Sequence, residues 1–262
     1  MIKKILMSAT LAAIMCAISV PANAQFGKAL KGLGKAAKET ATNMASDAVA
    51  NQVAQKVVNY MDQQNTVAAA DSEYAKRLET IVGNYKSVDG ITLNYKVYEN
   101  PEMNILACAD GSIRIYSGMM DSLTNDEVLA VIATQIGHIA NKDARNSLLQ
   151  VASGDNAEKA TSAQLEKMLS MSGDGLGTII NELLQVPYTL DQNKAADIYA
   201  VKFLKSNKKD ASALASALTK FADMEVADAE AAEADEFAET SPAAKYISVN
   251  KENAIRASLI AD

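Results

Sequence analysis

The sequence contains no tryptophan, four phenylalanines and a single histidine, and its acidic residues outnumber its basic ones. Aromatic residues make up 5% of the 262 residues, which argues against a platform that stacks sugars or bases. The net charge is −7, whereas a nucleic-acid binder needs a concentrated basic surface to neutralise phosphates. No nucleic-acid partner is therefore expected. Apolar residues amount to 49% of the chain, which is enough for a hydrophobic core.

The first 24 residues have the pattern of a signal peptide. Two lysines form its positive end, residues 5–18 are an apolar stretch too short for a comfortable membrane span, and the tripeptide at 22–24 is an A-x-A cleavage site. The pattern predicts export to the periplasm or cell envelope, with cleavage after Ala24. Cys16 suggests a lipoprotein instead, although a bulky methionine precedes it. Cleavage would leave Cys108 as the only cysteine and exclude an intrachain disulfide.

The rest of the chain divides into an arm and a domain. Residues 25–71 are predicted to form an N-terminal helical arm, with apolar side chains at helical spacing from residue 49 to residue 60. Its glycine-containing basic patch, residues 26–35, is either a loose segment or a contact for anionic lipid. Residues 72–262 are predicted to form one domain. Its acidic segment, residues 223–239, is interpreted as a solvated helix face or a mobile segment, or alternatively as a metal-buffering patch.

Within the domain, strand signals come before helix signals. Residues 91–97 alternate between apolar and polar, and residues 104–108 and 112–116 flank Asp110-Gly111 as the strands of a hairpin do. Thr124 or Asn125 is predicted to cap a helix that ends near Ala140, and further helices follow. The expected fold class is α+β, mostly helical with a small sheet beside the helix that ends at Ala140.

That helix also carries a motif. The sequence VLAVIATQIGHIANKD, at positions 128–143, resembles the zinc helix AVLAHELGHIxxxH of the HExxH peptidases related to HtpX and the CAAX prenyl protease. The similarity continues in NI at 104–105, GSIRIYSGMM at 111–120, PYT at 187–189, ADIYA at 196–200, SP at 241–242 and AIR at 254–256. The resemblance covers about residues 72–260. It implies a zincin-like fold and a family whose cofactor is zinc.

The family's catalytic positions carry other side chains in this chain. Mapped by position, the first zinc ligand is Thr134, the general base is Gln135 and the glutamate ligand is Asn193, while only the second ligand, His138, is retained. Hydroxyl and amide oxygens are poor zinc ligands beside imidazole and carboxylate, and an amide cannot act as a base near neutral pH. No other histidine is present to replace the missing ligand. No bound cofactor is therefore predicted.

A metal-free arrangement of these residues is expected instead. Asp197 matches the family aspartate that orients the first histidine, and here Thr134 is expected to donate a hydrogen bond to it. His138 is expected to be packed and neutral beside this pair. Asp143 lies five positions beyond His138, outside the spacing that shares a helix face, so we do not expect it to join the group. For Thr134, Asp197 and His138, the alternative is a weak improvised metal site. Cys108 is interpreted separately, as a small buried hydrophobe and not as a nucleophile.

The function predicted from these residues is that of an exported, catalytically degenerate metallopeptidase-like protein. It would bind peptides or segments of an envelope protein in the former substrate cleft. One alternative is an active zinc-dependent endopeptidase with a non-standard ligand set. Another is an envelope-associated structural protein whose arm contacts the membrane.

Peptide recognition is predicted at the strand before the motif helix, because substrates of the resembled family lie extended along that strand. Here the strand comprises Ser112, Ile113, Arg114, Ile115 and Tyr116. Its backbone is expected to pair with the peptide. Arg114, on the opposite face from the two isoleucines, is expected to select acidic segments.

Overall fold

The computed structural model describes residues 35–234, 246, 250 and 252–261. Backbone contacts separate Met1–Ala48 from Val49–Asp262, a boundary that falls inside one long helix. The predicted signal peptide, residues 26–34 of the basic patch and residues 235–239 of the acidic segment lie outside the described residues. The predicted division at residue 71 stays a prediction.

The described part of the chain is mostly helical and contains a small sheet, which confirms the mixed α+β class. No helix in this part is both long and apolar enough to cross a membrane. The elements are α1 (Lys35–Gln64), α2 (Glu73–Val82), β1 (Ser87–Val88), β2 (Ile91–Thr92), β3 (Asn94–Tyr98), β4 (Ile105–Ala107), β5 (Ser112–Tyr116), α3 (Ser117–Ser122), α4 (Asn125–Ala140), α5 (Asp143–Ser153), a 3-10 turn (Ala157–Lys159), α6 (Ser162–Ser170), α7 (Asp174–Leu183), α8 (Leu190–Ser206), α9 (Ser212–Ala234) and α10 (Asn253–Ala261).

Three of the strands form a mixed sheet in the order β3-β5-β4. The predicted hairpin is confirmed: β4 and β5 pair antiparallel, and Gly111 adopts the positive φ of +91° that their turn requires. β3 and β5 pair parallel. The alternating segment at 91–97 is divided, because β2 pairs with β1 in a separate two-stranded ribbon.

β5 is therefore the central strand, which corrects the prediction that it offers an open edge to a peptide. Ser112, Ile113, Arg114, Ile115 and Tyr116 are all buried, with a paired neighbour on each side. A central strand has no free backbone groups for a further strand. The sequence pattern could not distinguish the two cases, since any strand preceding a helix carries the same alternation.

The two faces of this sheet pack on different helices. Ile113 and Ile115 join the core formed by α4, α8 and α9, while Tyr116 joins a second core with α1, α5, α6 and α7. On the α1 side, Asp62 accepts hydrogen bonds from Arg114 Nε and Tyr98 Oη, both at 2.7 Å. The sheet thus has a mostly apolar contact with α4 and an ionic one with α1.

α4 crosses α8 closely because it carries a glycine at the contact. A Cβ added to Gly137 would lie 2.7 Å from the carbonyl oxygen of Ala196 and 2.9 Å from its Cα, closer than real Cβ atoms come. The two backbones can approach only without that atom. This approach brings the motif residues of α4 next to those of α8.

Candidate functional site

α4 is anchored at its start by the predicted cap. The Thr124 hydroxyl accepts from the Glu127 amide, and the Glu127 carboxylate accepts from the Thr124 amide, a reciprocal capping box. Burial alone would raise the pKa of Glu127, but hydrogen bonds from Lys220, Ser216 and Thr124 lower it to about 2. The ionised carboxylate lies at the positive end of the helix and stabilises it. The motif residues lie two to three turns further on.

The predicted hydrogen bond between Thr134 and Asp197 is present. Thr134 Oγ1 donates to Asp197 Oδ1 at 3.2 Å. Arg256, on α10, donates to the same carboxylate through Nε at 2.8 Å and through Nη2 at 2.9 Å. Burial alone would lower the pKa of Arg256, but its bonds to Asp197 raise it, so the guanidinium remains charged. Both oxygens of Asp197 are therefore already engaged within the protein.

His138 is buried and neutral, as expected, although its partner was not. Its Nδ1 lies 2.9 Å from Asp143 Oδ2, and its ring stacks on Tyr188 with centroids 3.8 Å apart. Burial lowers the pKa of His138 and outweighs the opposing effect of Asp143. A neutral imidazole that donates from Nδ1 to a carboxylate leaves Nε2 as an acceptor.

The expectation that Asp143 lies away from His138 is wrong. The spacing rule assumes a continuous helix, but α4 ends at Ala140 and Lys142 adopts the left-handed φ of +65°. This turn starts α5 and returns Asp143 to the imidazole, where Gln192 Nε2 also donates to its Oδ1 at 3.0 Å. The resembled motif AVLAHELGHIxxxH has its last histidine at the position of Asp143. That match was the sequence signal that could have placed Asp143 near His138.

Asn193 lies on α8 with its side chain buried. Its Nδ2 donates to the Tyr188 carbonyl at 3.4 Å, while its Oδ1 has no hydrogen-bond partner among the described residues. Gln135 is also buried, on the adjacent wall of a cavity. The amide of Asn193 thus stands where the resembled family has a carboxylate ligand.

These residues do not fit a zinc ion. The three ligand positions offer one imidazole and neutral oxygens, and the Thr134 hydroxyl already donates to Asp197. The nearby carboxylates of Asp197 and Asp143 are bound by other side chains. Catalytic zinc sites use three strong protein ligands, of which this group supplies one. Within the described ranges, no cluster of three histidine, cysteine, aspartate or glutamate side chains is placed to hold a metal. The contacts instead pair the polar groups with one another.

A cavity of about 310 Å³ opens beside these residues. Gln135 and Tyr188 line it together with every residue of β4, and its other walls include helices α1, α5 and α7 and the segment after α7. Cys108, also in the lining, is half-buried and not fully buried as predicted. Desolvation raises the pKa of its thiol to about 12, so it is not an ionised nucleophile at neutral pH. Apart from Glu102, the cavity therefore presents neutral groups and strand backbone.

Arg114 does not reach this cavity, which corrects its predicted role in selecting acidic segments. It is 2% exposed and donates to Asp62 Oδ1 at 2.7 Å and Oδ2 at 3.1 Å. Its remaining donor contacts are backbone carbonyls of the sheet. A guanidinium satisfied in this way holds α1 on the sheet and cannot recognise a partner.

Comparison with known proteins finds similarity to metallopeptidases. The model of the family described as "Peptidase family M48" matches residues 87–246. Metalloprotease LoiP of Escherichia coli (strain K12) is 36% identical over 184 residues, which cover 69% of this chain and 72% of that protein. Metalloprotease YcaL of the same organism is 32% identical over 163 residues, 61% of this chain and 63% of that protein.

Proposed function

This chain belongs to peptidase family M48, and we propose that it is an exported, catalytically inactive member that binds extended peptide segments in the cleft of a zincin-like fold. Zinc is not assigned to it. Export is supported by the signal-peptide pattern of residues 1–24.

One observation carries the proposed loss of catalysis. The Thr134 hydroxyl, at the position of the first metal ligand, donates to Asp197, whose carboxylate also holds Arg256. At the base position, Gln135 has no basic site to activate water. An amide replaces the remaining carboxylate ligand. Hydrolysis would need both an activated water and a charged metal site, and neither is supported by these groups.

The binding role is supported by the outer edge of β4. The Asn104 carbonyl accepts a backbone hydrogen bond from β5, and the Cys108 amide donates one to β5. In the antiparallel ladder, the backbone groups of Ile105 and Ala107 therefore point away from β5. The Ile105 amide donates to the Asn104 side chain. The Ile105 carbonyl and both backbone groups of Ala107 have no hydrogen-bond partner in the described part of the chain. An extended peptide would pair with them, beside the Gln135 amide in the same cavity.

The test combines metal analysis with peptide binding. We expect purified protein to contain no stoichiometric zinc, to leave casein intact, and to bind a fluorescein-labelled Thr-Ala-Thr-Leu-Thr-Ala-Thr peptide in a fluorescence anisotropy titration. Ala107→Pro removes one outward donor and should weaken binding about threefold to tenfold, the worth of one net hydrogen bond. Ala107→Ser keeps the amide and serves as the matched control.

Two results would contradict the proposal. One equivalent of zinc that survives dialysis, with chelator-sensitive casein cleavage that is lost in His138→Ala, would establish the active endopeptidase. Absence of peptide binding to a folded, zinc-free protein would favour an envelope-associated structural protein. Binding to anionic lipid vesicles that is lost on deletion of residues 25–40 would then support that second candidate.

A further inference from the structure

We propose that the cavity takes one large aliphatic side chain of the peptide bound along β4, and that Val57 and Met61 of α1 determine this preference. The inference rests on the proposed function and adds to it the class of side chain selected and the residues that select it. The α1 residues lie outside the part of the chain matched by the family model. The residues that set the selectivity are therefore not among those that define the family match.

The chemistry of the cavity favours an aliphatic guest. Among the described residues, its lining contains one charged side chain, Glu102, and is otherwise made of apolar side chains, neutral polar groups and strand backbone. A volume of about 310 Å³ lies at the lower end of the range for ligand pockets, which suits one side chain better than a folded segment. An acidic side chain would leave its hydration shell without gaining a cationic partner from the described part of the lining.

Helix α1 is held firmly enough to discriminate between side chains of the peptide. Asp62, next to Met61, is bound by Arg114 and also accepts from Lys96 Nζ at 2.7 Å. One turn and a half earlier, Lys56 Nζ donates to the Leu169 carbonyl at 2.7 Å. These polar contacts fix the axial position of α1, so the side chains between them meet the cavity at defined places.

The helix also supplies a matched control. Val53 and Val57 are one turn apart and 0% and 2% exposed, but only Val57 lines the cavity. The substitutions Val53→Ala and Val57→Ala remove the same two methyl groups from the same buried helix face. A general loss of packing affects both variants, whereas a loss of contact with the guest affects only Val57→Ala.

The experiment measures anisotropy titrations with three peptides, the Leu peptide used above and its versions with Gly or Glu in place of Leu. Wild-type protein should bind the Leu peptide at least tenfold more tightly than either. In Val57→Ala the ratio of Leu to Gly affinities should fall about threefold or more, because aliphatic contacts are removed. Val53→Ala should keep the wild-type ratio. Met61→Leu, a volume-conserving change, should alter the ratio while preserving the fold.

The outcomes separate this inference from the proposed function. Equal affinity of wild-type protein for the Leu, Gly and Glu peptides would overturn the aliphatic preference while leaving peptide binding intact. A Leu-to-Gly ratio changed equally by Val57→Ala and Val53→Ala, and unchanged by Met61→Leu, would overturn the assignment to α1. If no peptide binds the folded protein, the proposed function and this inference both fail.

Discussion

Removal of the Asp62 carboxylate should destabilise the protein in a pH-dependent way. Burial alone would raise the pKa of Asp62, but hydrogen bonds from Arg114, Lys96 and Tyr98 lower it from 3.8 to about 2. A tenfold change in proton affinity is worth about 1.4 kcal/mol, so the ionised form contributes about 2 kcal/mol to the free energy of unfolding at neutral pH. Asp62→Asn also leaves a buried guanidinium unpaired, which raises the expected loss toward about 3 kcal/mol.

The sign of the pH dependence follows from the lowered pKa. The contribution of Asp62 is fully present above its unfolded pKa of 3.8 and is lost as the pH falls through about 2. Urea unfolding followed by circular dichroism should therefore show a large difference between wild type and Asp62→Asn at pH 7. The difference should shrink between pH 4 and pH 2. Asp71→Asn, at an exposed aspartate, is the control and should change stability by less than about 0.5 kcal/mol. A loss below 0.5 kcal/mol at pH 7, or one independent of pH, would refute the reasoning.

Three further experiments test the helix packing, the Asp197 ion pair and the assigned ligand positions. Gly137→Ala should lower the free energy of unfolding by about 1–3 kcal/mol, because the added Cβ forces α4 away from α8. Gly175→Ala, whose added Cβ meets only ordinary contacts, is the control in the same thermal melts and should not lower it. Arg256→Met should lower the free energy of unfolding, measured in urea, by about 3–5 kcal/mol, because it leaves the buried Asp197 carboxylate unpaired. Adding Asp197→Asn should recover part of this loss, and strictly additive losses would contradict the pairing. The triple variant Thr134→His, Gln135→Glu, Asn193→Glu should bind zinc in a calorimetric titration, whereas the three single variants should hardly do so. A folded triple variant with the zinc affinity of the wild type would disprove the assigned ligand positions.

Much of the local structure was predictable because its signals are local. The hairpin requires Gly111 at its turn, and the α4 cap requires a hydroxyl at Thr124 with a glutamate three residues later. The Thr134–Asp197 bond followed from the family frame, which places both positions.

The non-local pairings were not predictable. β5 became the central strand through a parallel pairing with β3, and nothing in the alternation of a strand reports how many neighbours it has. Arg114 carries the same charge whether it faces solvent or a buried aspartate. Asp143 contacts His138 because the left-handed turn at Lys142, after the end of α4, brings it back, and a helical wheel cannot represent that turn.

The 52-residue separation between Asp62 and Arg114 has a consequence for the order of folding. The β4–β5 hairpin joins neighbouring segments and costs little loop-closure entropy, whereas α1 can dock only after a sheet exists to receive it. We therefore expect α1 from residue 49 onward to be the last large element to join and among the first to open in the native state. Amide hydrogen exchange would report this as weaker protection in residues 49–64 than in α4. The wall of the cavity would then form only at the final step of folding, and a bound peptide would slow exchange in α1 as well as in β4.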